Sequence, residues 1–347
     1  MSFWQANLLV HVFQLSTEDP WVDVMEDNDG ASEEEHSLCS QYLLPRHDFQ
    51  GLWDSLVFDD DKKDRLIEYA TSAMLFAKHG VDNHIISWNR VVLLHGPPGT
   101  GKTSLCKSLA HKLSIRLSHI YSNAVLLEIH SHSLFSKWFS ESGKLVTKLF
   151  QHIQELVSDQ DSLVLVLIDE VESLTAARKS ALSGAEPSDA VRVVNAMLTQ
   201  LDALKRFPNV MTLCTSNLAE AIDAAFVDRA DIKLFVGLPS DQGRYAILRS
   251  CLLELMRVGL VSPAIPISAA PTSLGKQCPE QALLDVARSA EGLSGTWHPL
   301  LVCESACVSD PHPSPATQGV PFGSFLCWPT QNSCSKVFAA LPSSWRH

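Results

Sequence analysis

Gly96-Pro97-Pro98-Gly99-Thr100-Gly101-Lys102-Thr103 is the stretch whose reading decides the fold. It is a complete G-x-x-x-x-G-K-T match, and its neighbours are what that pattern needs. Arg90-Val91-Val92-Leu93-Leu94-His95 ahead of it is a short apolar, β-branched run, which predicts a buried strand. Ser104 to Leu113 behind it carries Leu105, Leu109 and Leu113 on one helical stripe. Strand, glycine loop and helix N-terminus together aim backbone N–H groups at phosphates. The glycines let such a loop wrap closely, Lys102 reaches the β- and γ-phosphates, and the Thr103 hydroxyl can hold Mg²⁺. The alternative is a glycine-rich turn that merely contains a lysine. The full match between a strand and a helix argues against it.

A second anchor follows at Ser162-Leu163-Val164-Leu165-Val166-Leu167-Ile168-Asp169-Glu170. Its aliphatic run has no polar alternation, as a strand buried on both faces of a parallel sheet requires. Two carboxylates end it, at the strand end where open α/β sheets bind ligands. Asp169 is placed to hold Mg²⁺, directly or through water, and Glu170 to orient and polarise an attacking water. Phosphoryl transfer is stabilised by positioning and charge, so both are needed. Val210 to Asn217 predicts another strand, ending in the polar triplet Thr215-Ser216-Asn217. Asn217 there is placed to hydrogen-bond the γ-phosphate or the water, or is simply a turn residue. In Phe226-Val227-Asp228-Arg229-Ala230-Asp231 an arginine stands between two acids, where a surface ion-pair cluster is the plain reading.

The 347 residues allow about two domains, and 46% hydrophobic residues suffice for a core. A net charge of −12 argues against a general nucleic-acid or anionic-membrane binder. Nine cysteines without paired spacing read as reduced thiols, and Cys303, Cys307, Cys327 and Cys334 have no matching zinc ladder. No stretch approaches the length of a membrane span. Helices are predicted over Asp59–His79, Gly143–Val157 (stripe Leu145, Leu149, Ile153, Leu156), Ser188–Leu204 with Ser188 as N-cap, Asp241–Val258 and Pro279–Ala290. Leu126–Ile129 predicts a strand. The strand–helix alternation through residue 240 implies an α/β fold with a doubly wound parallel sheet. Thr17 to Glu35 is acidic and reads as a solvated linker, with an interaction tail as the alternative. The division expected is 1–42 with the acidic linker, 43–239 as the α/β domain, 240–295 as a smaller helical segment, and 296–347 as an irregular tail rich in Pro, Ser, Trp and Cys.

With these residues read, the chain resembles the P-loop NTPases of the AAA+ class, and within them the pachytene checkpoint protein 2 family. The resemblance rests on Phe49–Leu56, Ile86–Thr103, Ser131–Lys144, Ile168–Arg178, Glu186–Asn195 and Phe226–Lys233. SLFSKWFSESGK and IDEVESLTAAR are much narrower signals than the two phosphate motifs. The resemblance implies a ring hexamer that uses ATP and Mg²⁺ to remodel HORMA-domain proteins with an adaptor. It implies roles in spindle-checkpoint silencing and meiotic chromosome-axis remodelling, in nucleus and cytoplasm and on chromosomes, with no direct nucleic-acid or membrane binding. By resemblance, Gly96, Pro97, Pro98, Gly99, Thr100, Gly101, Lys102 and Thr103 form the nucleotide loop, and Asp169 and Glu170 the catalytic acids. Asn217 is similar to the sensor-1 position. Arg229 looks like the arginine finger that reaches a neighbouring subunit's nucleotide. Lys137, Trp138 and Phe139 look like a substrate-gripping pore loop, although local packing of Trp138 stays open.

Two departures bear on activity. By this resemblance, the chain is expected to begin near the end of the family's N-terminal domain. Thr296 stands where the family has a sensor-2 arginine, and the lid is replaced by an unrelated tail. Three functional readings follow: a working remodelling ATPase, a catalytically impaired nucleotide-binding isoform that regulates or poisons full-length rings, or an AAA+ ATPase of another class.

Overall fold

Ser162–Asp169 forms a strand with a parallel neighbour on each side, as its unbroken apolar run requires. The computed structural model describes residues 12–23, 39–82, 85–86, 88–131, 142–173, 189–217, 222, 224–259, 261–262, 267–268, 279–292 and 320–321. The chain divides into two compact units. The first comprises Met1–Trp53, Asp64–His95 and Thr103–Leu234. The second comprises Asp54–Lys63, Gly96–Lys102 and Phe235–His347.

The sheet is built from β1 (Trp21–Asp23), β2 (Cys39–Leu44), β3 (Val91–His95), β4 (Asn123–His130), β5 (Ser162–Asp169), β6 (Val210–Ser216) and β7 (Ile232–Phe235). Their order across the sheet is β1-β2-β4-β5-β6-β3-β7. β4, β5, β6 and β3 are parallel in sequence of pairing, the doubly wound arrangement read from the alternation. At one border the pairing is antiparallel. β2 lies antiparallel to β4, and β1 antiparallel to β2. The acidic stretch read as linker therefore contributes a strand, Trp21–Asp23, and the expected boundary at residue 43 falls inside β2.

Two helices, α1 (Leu52–Ser55) and α2 (Lys62–Lys78), precede β3 in the chain. Period-two alternation splits the buried residues between the two faces of the sheet. Val125, Leu127, Ile129, Val164, Val166 and Ile168 meet α4 (Ser142–Ser158) and α5 (Asp189–Leu204) in one continuous core. The buried stripe of α4 is Val146, Leu149, Phe150, Ile153 and Val157. Of the expected stripe, Leu149 and Ile153 belong to it, Leu156 is only partly buried, and the Leu145 side chain lies outside the described ones. The start of α5 at Asp189 agrees with the sequence, while Ser188 lies outside the described residues.

The opposite face carries α3 (Lys102–Arg116), tied to it by Lys107 Nζ, 2.8 Å from Glu128 Oε1 on β4. Tyr42 of β2 donates its hydroxyl to the other Glu128 oxygen at 3.0 Å. Burial and the Glu128 charge push the Tyr42 phenol up to about 12. A strand that reads as unremarkable in sequence is thus locked to the sheet by a paired, hydrogen-bonded charge.

Arg90 was expected to open β3, but it sits in the left-handed region (φ 57°). Its buried guanidinium donates to the Val210, Phe207 and Lys205 carbonyls at 3.0, 2.8 and 2.8 Å. The strained backbone turns this side chain away from the strand pleat and under the α5–β6 connection. His111 of α3 is buried and accepts the Arg46 N–H at Nδ1, 3.2 Å. Burial, aided by Lys112, holds its pKa below the ordinary value of 6.5. The unfolded chain then binds the proton first. Stability from this site is complete above about pH 6.5 and declines as pH falls toward the depressed value. Urea unfolding across that window should give a steeper pH slope for the parent than for His111→Asn, whose amide oxygen accepts the same bond without titrating.

α6 (Ala224–Arg229) belongs to the first unit, and α7 (Asp241–Arg257) and α8 (Pro279–Ser289) to the second. Ser240 caps α7, accepting the Gly243 N–H at 3.3 Å. Tyr245, Leu248, Leu252 and Met256 of α7 pack with Ile267, Leu283 and Ala287. Asp59 accepts both the backbone N–H and the hydroxyl of Ser240, at 3.0 and 2.7 Å. Val261–Ser262 (β8) pairs in parallel with Val320–Pro321 (β9). The rest of 296–347, with Thr296 and the four late cysteines, lies outside the described residues. No helix among the described residues is long and apolar enough to cross a membrane.

Candidate active site

The glycine loop takes its conformation from residues with no side chain to spare. Gly96 has φ 149°, and a Cβ added there would lie 2.1 Å from the Val236 carbonyl oxygen. Backbone therefore passes against backbone at this point, which only glycine allows. Thr100 Oγ1 donates to the Pro97 carbonyl at 3.0 Å. Lys102 is buried, and its ammonium donates to the Gly96 and Pro97 carbonyls at 2.9 and 2.7 Å. The charge is thus folded back over the loop it closes. α3 begins at Lys102, so its first N–H groups have no partner within the helix. An N-terminus of this kind favours phosphate.

The acids are organised within the first unit. Asp169 ends β5, and Thr103 Oγ1 donates to its carboxylate at 2.9 and 3.2 Å. Thr215 Oγ1 also donates to Asp169 Oδ1. Ser131 Oγ, just after β4, donates to the Asp169 carbonyl at 2.6 Å. Thr103 and Asp169 thus present hydroxyl and carboxylate oxygens together, a hard donor set that suits Mg²⁺.

Glu170 leaves the strand in the left-handed region (φ 56°), the second non-glycine described residue to do so. That conformation costs on the order of 1–3 kcal/mol and marks sites where geometry serves chemistry. Its N–H donates to Thr215 Oγ1 at 3.1 Å, and the Val171 N–H to the Thr215 carbonyl at 2.9 Å. Asn217 Nδ2 donates to Glu170 Oε1 at 3.2 Å. The Asn217 backbone N–H donates to Glu172 Oε1 at 3.0 Å. Asn217 reads in sequence as a partner of the γ-phosphate or the water, or as a turn residue. In this structure its amide steadies the Glu170 carboxylate.

Arg229, at the end of α6, was read as flanked by two acids. Its guanidinium grips a different one, Asp202 of α5, at 3.0 and 2.7 Å, and also donates to the Ala225 carbonyl at 2.7 Å. The Arg229 hydrogen bond holds the Asp202 carboxyl below the usual range. Asp231 instead accepts from Tyr69 Oη at 2.7 Å and from the Asn89 and Val91 N–H groups. Lys137, Trp138 and Phe139 lie outside the described residues.

The site also uses residues the sequence did not single out by role: Thr215, Ser131 and Glu172. Thr215 lay in a noted polar triplet, and Glu172 follows Glu170 by two positions. Those were the available signals.

The family model "ATPase family associated with various cellular activities (AAA)" matches residues 92–238. The pachytene checkpoint protein 2 homolog of Oryza sativa subsp. indica is 53% identical over 327 residues, covering 89% of this chain and 68% of that one. The structure of C. elegans PCH-2 superposes with a TM-score of 0.75 at 38% identity, covering 97% of this chain and 81% of that one. The structure of the E. coli MS115-1 HORMA:CdnC:Trip13 complex has a TM-score of 0.53 at 21% identity, covering 76% and 94%. That last similarity is one of fold.

Proposed function

The chain belongs to the pachytene checkpoint protein 2 family of AAA ATPases, and from that premise we propose that it hydrolyses ATP to remodel HORMA-domain proteins. The observation that carries the chemical part is the strained Glu170, its carboxylate held by Asn217 one residue beyond the Thr103–Asp169 pair. Nucleotide lies on Gly96–Thr103, with Lys102 leaving the loop carbonyls for the phosphates. Thr103 and Asp169 would hold Mg²⁺, which when bound would supply charge neutralisation on the phosphate oxygens. Glu170 accepts a proton from the attacking water and aims it, and Asn217 keeps that carboxylate in place.

The HORMA substrate class is supported by the bacterial fold relative, whose complex contains a HORMA protein. With it come the further parts of the proposal. The active form is a homo-hexamer, Arg229 reaches the neighbouring subunit's nucleotide, and Lys137, Trp138 and Phe139 grip substrate in the pore. The setting is spindle-checkpoint silencing and meiotic chromosome-axis remodelling, in nucleus and cytoplasm. The domains are 43–239 for hydrolysis and 240–295 for a partial lid, flanked by 1–42 and 296–347.

A second reading is an impaired isoform that acts on full-length rings. One observation favours it: Arg229 is engaged by Asp202 of its own subunit; the resemblance, which places Thr296 at an arginine position, points the same way. ATP turnover with light scattering of the purified chain separates the two. Turnover from a ring-sized particle that opens a closed HORMA-domain protein supports the remodeller. A monomer that binds ATP without turnover supports the isoform.

Lys102→Ala removes the one loop cation and should lower ATP affinity at least a hundredfold by isothermal titration, with unfolding midpoint within a few degrees of the parent. Unchanged affinity would remove the loop assignment.

A further inference from the structure

We propose that Thr215 is the positioning residue that sets the two acids in their separate orientations, an inference that rests on the hydrolytic reading of Asp169 and Glu170. Thr215 is buried at the end of β6, 1% exposed. A threonine hydroxyl has one proton and two lone pairs. Here the proton goes to Asp169 Oδ1, and a lone pair receives the Glu170 N–H at 3.1 Å. The Thr215 carbonyl receives the Val171 N–H at 2.9 Å. One residue of β6 therefore satisfies three consecutive residues leaving β5.

The two hydroxyl bonds do different work. Asp169 is pinned by Thr215 on one side and by Thr103 on the other, so its carboxylate has one orientation toward whatever Thr103 also touches. Glu170 must turn its amide into β6 to meet Thr215, and the left-handed φ of 56° is the backbone form of that turn. The turn sends the Glu170 side chain to Asn217 rather than along the strand pleat. β-branching restricts χ1 in a strand, so threonine holds the hydroxyl with less rotational freedom than serine. Groups that fix the orientation of a metal-ligating or catalytic carboxylate typically account for 10–100-fold in metal affinity or rate.

The test compares Thr215→Val, which keeps shape and loses the hydroxyl, with Thr215→Ser, which keeps the hydroxyl, and Thr215→Ala as a second deletion. Two readouts are taken on the full chain. One is ATP turnover, resolved into kcat and KM. The other is affinity for N-methylanthraniloyl ADP with and without Mg²⁺. Thr215→Val and Thr215→Ala should lower kcat by about 10–100-fold with KM within about threefold. They should lose most of the Mg²⁺-dependent gain in ADP affinity while metal-free affinity stays within about twofold of the parent. Thr215→Ser should restore both to within about threefold. Parental values in both deletion variants would overturn the proposal, as would equal loss in Thr215→Ser. If the parent shows no Glu170-dependent turnover, the hydrolytic reading fails on its own. The Mg²⁺ dependence of ADP binding still decides Thr215.

Discussion

Glu170→Gln is expected to lower ATP turnover at least a hundredfold while nucleotide affinity stays within about threefold. The substitution is nearly isosteric. A glutamine can still accept from Asn217 Nδ2 and can adopt the same left-handed backbone, so the architecture around β5 and β6 is kept. What disappears is the anionic acceptor for the proton of the attacking water. Loss of one transition-state group of this kind costs about 10²–10³ in kcat. Steady-state phosphate release beside nucleotide titration measures the two quantities separately. A variant that turns over like the parent would move the catalytic base elsewhere.

Gly96→Ala is expected to be the most disruptive glycine-to-alanine change among the described residues. The added Cβ would stand 2.1 Å from the Val236 oxygen and 2.9 Å from its carbonyl carbon, both backbone atoms that cannot rotate away. The backbone angle of 149° is also hostile to an L side chain. Overpacking and backbone strain together should cost about 3 kcal/mol or more in urea unfolding. ATP affinity should fall at least tenfold, because residues 96–102 cannot keep their path. Gly80→Ala is the matched control. It has φ 65° but open space where its Cβ would go. Its cost should be about 1 kcal/mol and its ATP affinity unchanged.

Much of the fold was legible because its signals are local. The run ending in Asp169 could only be a two-sided buried strand, and the glycine loop carried its own flanking strand and helix. What escaped was set by partners distant in sequence. Trp21–Asp23 became a strand because β2 offered it an edge, against an acidic composition that reads as solvated. β2 itself is held by Lys107 and Glu128, neither near it in the chain. The α4 stripe was legible at Leu149 and Ile153, and Leu156 packs against the same core from a partly buried position. In the site, pairings were set by residues distant in sequence. Arg229 had two sequence-adjacent acids and closed on Asp202 instead. Thr215 looked like the tail of a strand, and only the register of β6 beside β5 brings its hydroxyl to both acids.

The two short outer strands carry a consequence for life at high protein concentration. A parallel sheet ends in rows of unpaired N–H and C=O groups, and such a row templates the addition of strands from other chains. This sheet ends at one side in the three-residue β1, with Asp19 before it and Asp23 at its end. At the other it ends in the four-residue β7, with Lys233 in its middle. Short length and charge at both borders make poor templates. The short, charged borders limit strand addition onto the apolar centre of β4, β5 and β6, with exposed Trp21 and Phe235 as the apolar exceptions on them.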